Sequence, residues 1–172
     1  ADAMSKGIQF LFKKNKIETI AGFGKLAGQG KVEVTDDAGN KTLLSSKHII
    51  LATGARTRQL PNLPLDYVKV FGYRKAMTLP KQPKSMVVVG SGAIGSEFAY
   101  FYQSIGTQVT LVEFLPNIVP LEDEEVSKQL ERSFKKMGMK VLTNSTVEKA
   151  DTSGDLCKVT IKTKNGEVAV DA

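Results

Sequence analysis

The chain has 172 residues, of which 41% are apolar and 24% charged, and its formal net charge is +6. This is an ordinary globular composition with room for one or two domains, and no apolar run approaches the roughly 18 to 20 residues needed to cross a bilayer. The lysines are spread along the chain, often beside acids, so we expect no nucleic-acid-binding surface, which would concentrate basic and aromatic residues together.

The chain starts at Ala1 without a methionine and shows no secretory signal, so we expect a piece excised from a longer protein. Its single cysteine, Cys157, lies in a strand-like alternation and has no partner at disulfide or metal-ligand spacing. We therefore expect a half-buried strand residue there, no metal site, and the reducing conditions of the cytoplasm.

The first half of the chain is predicted to contain one helix and several short strands. An apolar stripe predicts a helix over residues 4–16, and residues 17–26 alternate like a strand. Lys31–Thr35 and Lys41–Ser45 are predicted to pair as a hairpin, because turn-forming residues separate them. The apolar run at residues 48–53 ends in a glycine and predicts a buried strand.

Closely spaced prolines between residues 61 and 83 predict a connector with one helical turn near residues 73–77, and hence a domain boundary near residue 80. Beyond the connector, strands and helices alternate as they do around a parallel sheet. The predicted elements are strand 86–89, helix 94–105, strand 108–113, helix 122–137, strand Lys140–Leu142, and a hairpin of strands 159–162 and 167–170.

Residues 90–95, between the first of these strands and its helix, match the pattern G-x-G-x-x-G. We interpret the first glycine as permitting a tight turn, the second as letting the backbone approach a pyrophosphate, and the third as letting the helix pack on the strand. An acid, Glu113, ends the second strand 23 residues after Gly90, where it would bind the adenosine ribose hydroxyls and repel a 2′-phosphate. Residues 86–113 are therefore predicted to bind NAD(H) rather than NADP(H).

Two other interpretations of this segment are open at this point. The glycines could be turn residues and Glu113 a solvent-exposed strand end, although four features in register favour binding. A methyltransferase also places its cofactor on a glycine turn with an acid after the second strand. The spacing, and the third glycine at the helix start, favour a dinucleotide over the methyltransferase cofactor.

Several stretches of the chain resemble the dihydrolipoamide dehydrogenases, a branch of the flavin-dependent pyridine nucleotide–disulfide oxidoreductases. They begin at Met4, Gly22, His48, Pro83 and Val109, and their sequences are MSKGIQFL, GFGKL, HIILATGA, PKSMVVVGSGAIGSEFA and VTLVEF. The resemblance covers essentially the whole chain. Its most specific part is the Ala-Thr-Gly strand end joined by a proline-rich connector to G-x-G-x-x-G-x-E.

The resemblance implies an α/β fold with a Rossmann-like, three-layer NAD-binding domain, made of a parallel sheet and a β-meander, over residues 81–172. An incomplete part of an FAD-binding domain would precede it over residues 1–80. The implied NAD contacts are Gly90, Ser91, Gly92, Ala93, Ile94, Gly95, Glu97, Glu113 and Val147. The implied FAD contacts are Gly24, Thr53, Gly54 and Ala55.

Two of these assignments carry a specific implied role. Val147 would lie against the adenine. Glu97 would reach the flavin–nicotinamide junction, although its spacing alone would favour a first-turn helix acid stabilised by the dipole. Ala93 stands where glutathione reductases carry a gating tyrosine, which supports the lipoamide branch.

The resemblance also implies a reaction in which dihydrolipoamide reduces a disulfide, FAD takes up the electrons, and NAD accepts a hydride. The intact enzyme would be a homodimer that serves 2-oxo acid dehydrogenase complexes. The chain has no pair of cysteines five positions apart, and His48 is interpreted as a strand-end surface residue. We therefore assign no catalytic residue to this chain and expect it to be inactive alone.

Alternative functions are a freestanding NAD-binding module without catalysis, or the corresponding segment of a mercuric reductase or a soluble transhydrogenase. Loss of the remaining FAD domain would expose apolar faces of the first helix and of the strand at residues 48–53. Exposed faces of this kind favour self-association, so we expect a non-native dimer or a poorly ordered first half.

Overall fold

The computed structural model describes residues 2–172, and the chain divides into two compact units, Ala1–Ala55 and Arg56–Ala172. The proline-rich connector packs on the second unit. The Asn62 side-chain amide donates to the carbonyl of Val147 at 2.6 Å, and the Tyr102 hydroxyl donates to the carbonyl of Ala76 at 2.6 Å. The compact units thus divide after residue 55, whereas the assignment of residues 1–80 and 81–172 to two cofactor domains stays a prediction.

The first unit contains one helix and a three-stranded antiparallel sheet. Helix α1 spans Asp2–Lys14, and strands β1 (Phe23–Leu26), β2 (Lys31–Thr35) and β3 (Lys41–Ser45) pair in the order β1-β2-β3. The predicted helix and hairpin are confirmed. The alternation that begins at residue 17 forms a strand only from Phe23 onward, where β2 supplies the hydrogen bonds.

The buried strand predicted at residues 48–53 is wrong. These residues form no strand, and Ile50 is 90% exposed and Leu51 66% exposed. A strand is held by hydrogen bonds to its neighbours, and none of residues 2–172 pairs with this segment. The apolar run identifies a segment suited to burial, but burial also needs a partner surface.

The second unit contains a parallel and an antiparallel sheet with three helices. The helices are α2 (Tyr73–Ala76), α3 (Ala93–Ser104) and α4 (Glu124–Lys136). The parallel sheet has the order β4-β5-β6, from strands Ser85–Val89, Gln108–Val112 and Lys140–Leu142. The antiparallel sheet has the order β7-β8-β9, from strands Thr146–Asp151, Lys158–Thr163 and Gly166–Asp171. The predicted α/β fold with a parallel sheet and a β-meander is confirmed, and only β7 was not predicted.

The parallel sheet of the second unit separates two apolar clusters. Its helix-side face packs against α3 and α4, and the buried members there are Ala99, Tyr102, Val109, Leu111, Ile118, Phe134 and Met139. Its other face packs against the antiparallel sheet, and the buried members there are Val112, Val147, Cys157, Val159 and Ile161. Strand residues alternate between the two faces because successive side chains of a strand point in opposite directions. No helix within residues 2–172 has the length and apolar character needed to cross a bilayer.

Cys157 lies just before β8 and is more enclosed than the sequence suggested. Its residue is only 7% exposed, and its backbone exchanges hydrogen bonds with Ala172 at 2.7 and 2.9 Å. Burial raises the pKa of the Cys157 thiol, against a smaller opposing effect of the Lys69 charge. In the native chain the thiol is therefore shielded from solvent, and a smaller fraction of it is in the reactive thiolate form.

We expect Cys157 to react with an aromatic disulfide reagent at mildly alkaline pH at least about tenfold more slowly in the native chain than in guanidinium chloride. The absorbance of the released thiolate reports the rate, and the whole signal comes from one residue because the chain has a single cysteine. Equal rates in the two conditions would contradict the buried placement of Cys157.

Candidate functional site

The glycine turn and the acid predicted to bind a dinucleotide lie at the same edge of the parallel sheet. Gly90 directly follows β4, and Glu113 directly follows β5. These two strands are parallel neighbours, with Val89 opposite Val112. The carboxyl ends of neighbouring parallel strands form the crevice where α/β sheets bind their ligands.

Each glycine of the turn has a separate structural reason. Gly90 has φ of +95°, in the region that favours glycine, and its amide donates to the carbonyl of Val112 at 2.8 Å. A Cβ on Gly95 would lie 1.9 Å from the carbonyl oxygen of Gly90, so helix α3 can approach the turn only if residue 95 has no side chain. A Cβ on Gly92 would meet nothing within 4 Å, so open space lies beside the helix start.

Helix α3 begins at this open space. Gly92 is its N-cap residue and provides no side-chain cap, and Gly92, Ala93 and Ile94 are exposed. The first amides of a helix have no partner within the helix, and those of Ala93 and Ile94 donate to no other residue among 2–172. They combine with the positive end of the helix dipole to favour a bound anion.

The Glu113 side chain folds back onto the glycine turn and is buried, with 7% of the residue exposed. Its Oε2 accepts hydrogen bonds from the amide of Ser91 at 2.8 Å and from the Ser91 hydroxyl at 2.6 Å. Its Oε1 accepts from the amide of Leu115 at 2.9 Å. The carboxylate therefore lies at the glycine turn, and the alternative of a solvent-exposed strand end is wrong.

Backbone and side-chain hydrogen bonds extend this network beyond the residues that the sequence suggested. The Ser91 carbonyl accepts from the amide of Val119 and from the hydroxyl of Ser96, both at 2.9 Å. The Glu113 carbonyl accepts from the amide of Ser145 at 2.9 Å. Sequence reasoning missed Ser96, Val119 and Ser145, since nothing in their spacing distinguishes them from other loop and helix residues.

The structure brings together only part of the predicted NAD site. Glu97 is exposed on α3 beyond the turn, whereas Val147 is 3% exposed and its side chain packs in the cluster between the two sheets. Contacts of these two residues with a cofactor stay predictions.

The predicted FAD contacts all lie in the first unit. Gly24 is in β1, and Thr53, Gly54 and Ala55 follow β3 in an irregular, exposed segment, with φ of +82° at Gly54. His48 is exposed, which confirms that it is a surface residue, but it lies outside any strand, so the strand-end part of the interpretation is wrong. Its assignment as non-catalytic stays a prediction.

The chain matches the family described as pyridine nucleotide-disulphide oxidoreductase over residues 1–172. The chain belongs to this family. Pyridine nucleotide-disulphide oxidoreductases use FAD and a pyridine nucleotide, in agreement with the resemblance and against the methyltransferase alternative.

Similar members of the family include dihydrolipoyl dehydrogenases. The chain is 44% identical over 148 residues to the dihydrolipoyl dehydrogenase of Zymomonas mobilis, covering 86% of this chain and 32% of that protein. It is 40% identical over 163 residues to the mitochondrial dihydrolipoyl dehydrogenase of Pisum sativum, covering 95% of this chain and 32% of that protein. The chain thus spans about a third of the length of these relatives.

Among solved structures, LpdA of Mycobacterium tuberculosis superimposes with a TM-score of 0.82 at 27% identity, covering 99% of this chain and 38% of that chain. A ferredoxin reductase of Rhodopseudomonas palustris superimposes with a TM-score of 0.71 at 25% identity, covering 94% of this chain and 41% of that chain. Both of these solved structures therefore share the fold described above.

The two glycines that follow Ser91 should respond differently to alanine. We expect Gly95→Ala to lower the free energy of unfolding by about 1 to 3 kcal/mol, because the added methyl group must displace the Gly90 carbonyl. Gly92→Ala is the matched control. Its Cβ meets open space and its φ of −61° suits alanine, so we expect a change within about 0.5 kcal/mol. Urea denaturation followed by circular dichroism measures both, and equal losses would contradict the close contact at Gly95.

Proposed function

We propose that the second unit binds NAD(H) at residues 86–113 in a Rossmann-like arrangement, and that the chain is the central part of an FAD-dependent dihydrolipoyl dehydrogenase. The observation that carries the first part is the buried carboxylate of Glu113 held 2.6 to 2.8 Å from Ser91 at the turn between β4 and α3. The second part is supported by relatives of that name at 40 to 44% identity.

The residues present fit the pyrophosphate of a dinucleotide. The helix start offers the free amides of Ala93 and Ile94, and the open space at Gly92 lets a phosphate come close to the backbone. These groups provide hydrogen-bond donors and a positive dipole end to a doubly charged group. The turn would thus bind and orient the dinucleotide through its backbone, without a basic side chain.

The residues near Glu113 favour an unphosphorylated ribose. Residues 109–127 contain no lysine or arginine, so no cation there would compensate a 2′-phosphate beside the Glu113 carboxylate. A carboxylate can accept hydrogen bonds from ribose hydroxyls but repels a phosphate. NADH is therefore the proposed ligand, and Glu113 is proposed to weaken the binding of NADPH.

The remaining residue assignments follow the resemblance. Val147 would lie beside the adenine and Glu97 near the flavin–nicotinamide junction, while Gly24, Thr53, Gly54 and Ala55 would contact FAD. Residues 1–80 would then belong to the FAD-binding domain and residues 81–172 to the NAD-binding domain. When bound, FAD and NAD supply the electron and hydride transfer, and this chain's residues hold and orient them.

The activity and partners of the whole protein are also proposed from its relatives. The substrate would be dihydrolipoamide, the assembly a homodimer that serves 2-oxo acid dehydrogenase complexes, and the compartment the cytoplasm. Relatives named dihydrolipoyl dehydrogenase support the substrate class.

Glu113→Ala should weaken NADH binding by about 1 to 3 kcal/mol, because it removes a charged hydrogen-bonding partner of the ribose. The substitution should also reduce the difference in binding affinity between NADH and NADPH. Calorimetric titration of the chain with each nucleotide measures both effects. Glu124→Ala, which removes an exposed acid paired with Lys128 on α4, is the control and should leave both affinities unchanged. A wild-type chain that binds neither nucleotide would overturn the proposal.

The purified chain alone should not oxidise dihydrolipoamide with NAD⁺, since its single cysteine cannot form an intrachain redox disulfide. The rise in NADH absorbance at saturating dihydrolipoamide and NAD⁺, with added FAD, provides the assay. The dihydrolipoyl dehydrogenase of Zymomonas mobilis assayed in parallel is the positive control. If the chain oxidises dihydrolipoamide and keeps this activity after a second purification, the expectation is wrong.

A further inference from the structure

Ser91 and Glu113 form a buried, hydrogen-bonded polar pair in the candidate site. Ser91 is fully buried, and its hydroxyl donates to Oε2 of Glu113 at 2.6 Å, beside the bond of 2.8 Å from its own amide. Within residues 2–172, the other carboxylate oxygen, Oε1, accepts only the amide of Leu115. The two oxygens therefore have unequal hydrogen-bonding environments.

This difference determines which carboxylate oxygen of Glu113 can still accept a hydrogen bond. Each carboxylate oxygen can accept about two hydrogen bonds. Oε2 has both from Ser91, whereas Oε1 has one from Leu115 and can accept another. Without the hydroxyl of Ser91, Oε2 would keep one bond and the carboxylate could turn more freely about its terminal torsion.

We infer that Ser91 is a positioning residue that sets nucleotide preference. Its hydroxyl occupies Oε2 of Glu113 and leaves Oε1 for a ribose hydroxyl. This inference rests on the proposed binding of NADH and adds a role for a side chain that the glycine motif leaves unspecified. Ser91 acts through Glu113 and need not contact the nucleotide with its side chain.

Ser96, in the first turn of helix α3, provides a matched comparison. It is 5% exposed, and its hydroxyl donates to the Ser91 carbonyl at 2.9 Å rather than to Glu113. Ser91→Ala and Ser96→Ala each remove one buried hydroxyl and one hydrogen bond. Only the first removes a bond to the carboxylate, so a general loss of rigidity would affect both variants alike.

Titration of the wild-type chain and both variants with NADH and with NADPH tests the inference. We expect Ser91→Ala to weaken NADH binding about fivefold to tenfold, within the range for the net contribution of one typical hydrogen bond, and to change NADPH binding by less than about twofold. Ser96→Ala should leave the ratio of the two affinities within about twofold of the wild type. A Ser91→Ala chain that keeps the wild-type ratio would overturn the inference.

A double-mutant cycle separates action through Glu113 from an independent effect. In a Glu113→Ala background, Ser91→Ala should produce no further loss of NADH affinity, and an equal loss in both backgrounds would overturn the inference. If the Ser91→Ala variant fails to fold, the Ser91→Gly variant, which also lacks the hydroxyl, is used instead of Ser91→Ala in both comparisons. Failure of the wild-type chain to bind NADH would instead reject the proposed function, so the two failures are distinguishable.

Discussion

The geometry of the site depends on one buried carboxylate. Glu113 would lose much of its hydration on burial, and an uncompensated buried charge is costly. Three hydrogen bonds offset that cost, two from Ser91 and one from the amide of Leu115. Because Ser91 follows β4 and Glu113 follows β5, these bonds tie the ends of two parallel strands together across the crevice. The acid that would recognise the ribose thus also holds the turn that would bind the pyrophosphate.

The segment after Glu113 has a second anchor to the same turn. Ile118 is fully buried in the helix-side cluster, and Val119 donates its amide to the Ser91 carbonyl while holding φ of +40°. That φ is unfavourable for a β-branched residue, so packing and hydrogen bonding must maintain it. Ser91 is consequently bonded through its hydroxyl, amide and carbonyl. Among residues 2–172, the amides of Ala93 and Ile94 at the start of α3 have no acceptor, so donors that would bind an anion lie beside this hydrogen-bonded turn.

The sequence predicted those parts of the fold whose signals are local. Strand β4, the glycine turn and helix α3 follow from periodicity and turn chemistry over about twenty residues, and the structure has them within one residue of the prediction. Strand β7 was missed because Thr146–Asp151 lacks regular alternation and forms by pairing with β8 across a bulge. The bond between Ser91 and Glu113 was also beyond sequence reasoning. A spacing of 22 residues places them at one sheet edge, but only tertiary packing decides where the carboxylate turns.

The two units differ in how completely their apolar faces are buried. In the second unit both faces of the parallel sheet are covered, so strand alternation and burial agree. Helix α1 has the stripe of a packed helix, yet Met4 is 75% exposed and Ile8 50%, and none of its residues is buried. An apolar stripe shows that one face of a helix is suited to pack against an apolar surface. It does not show that residues 2–172 provide that surface. The segment at residues 48–53 follows the same rule. Hydrophobic patterning therefore predicted burial correctly where the partner surface is present, and only a capacity for burial where it is not.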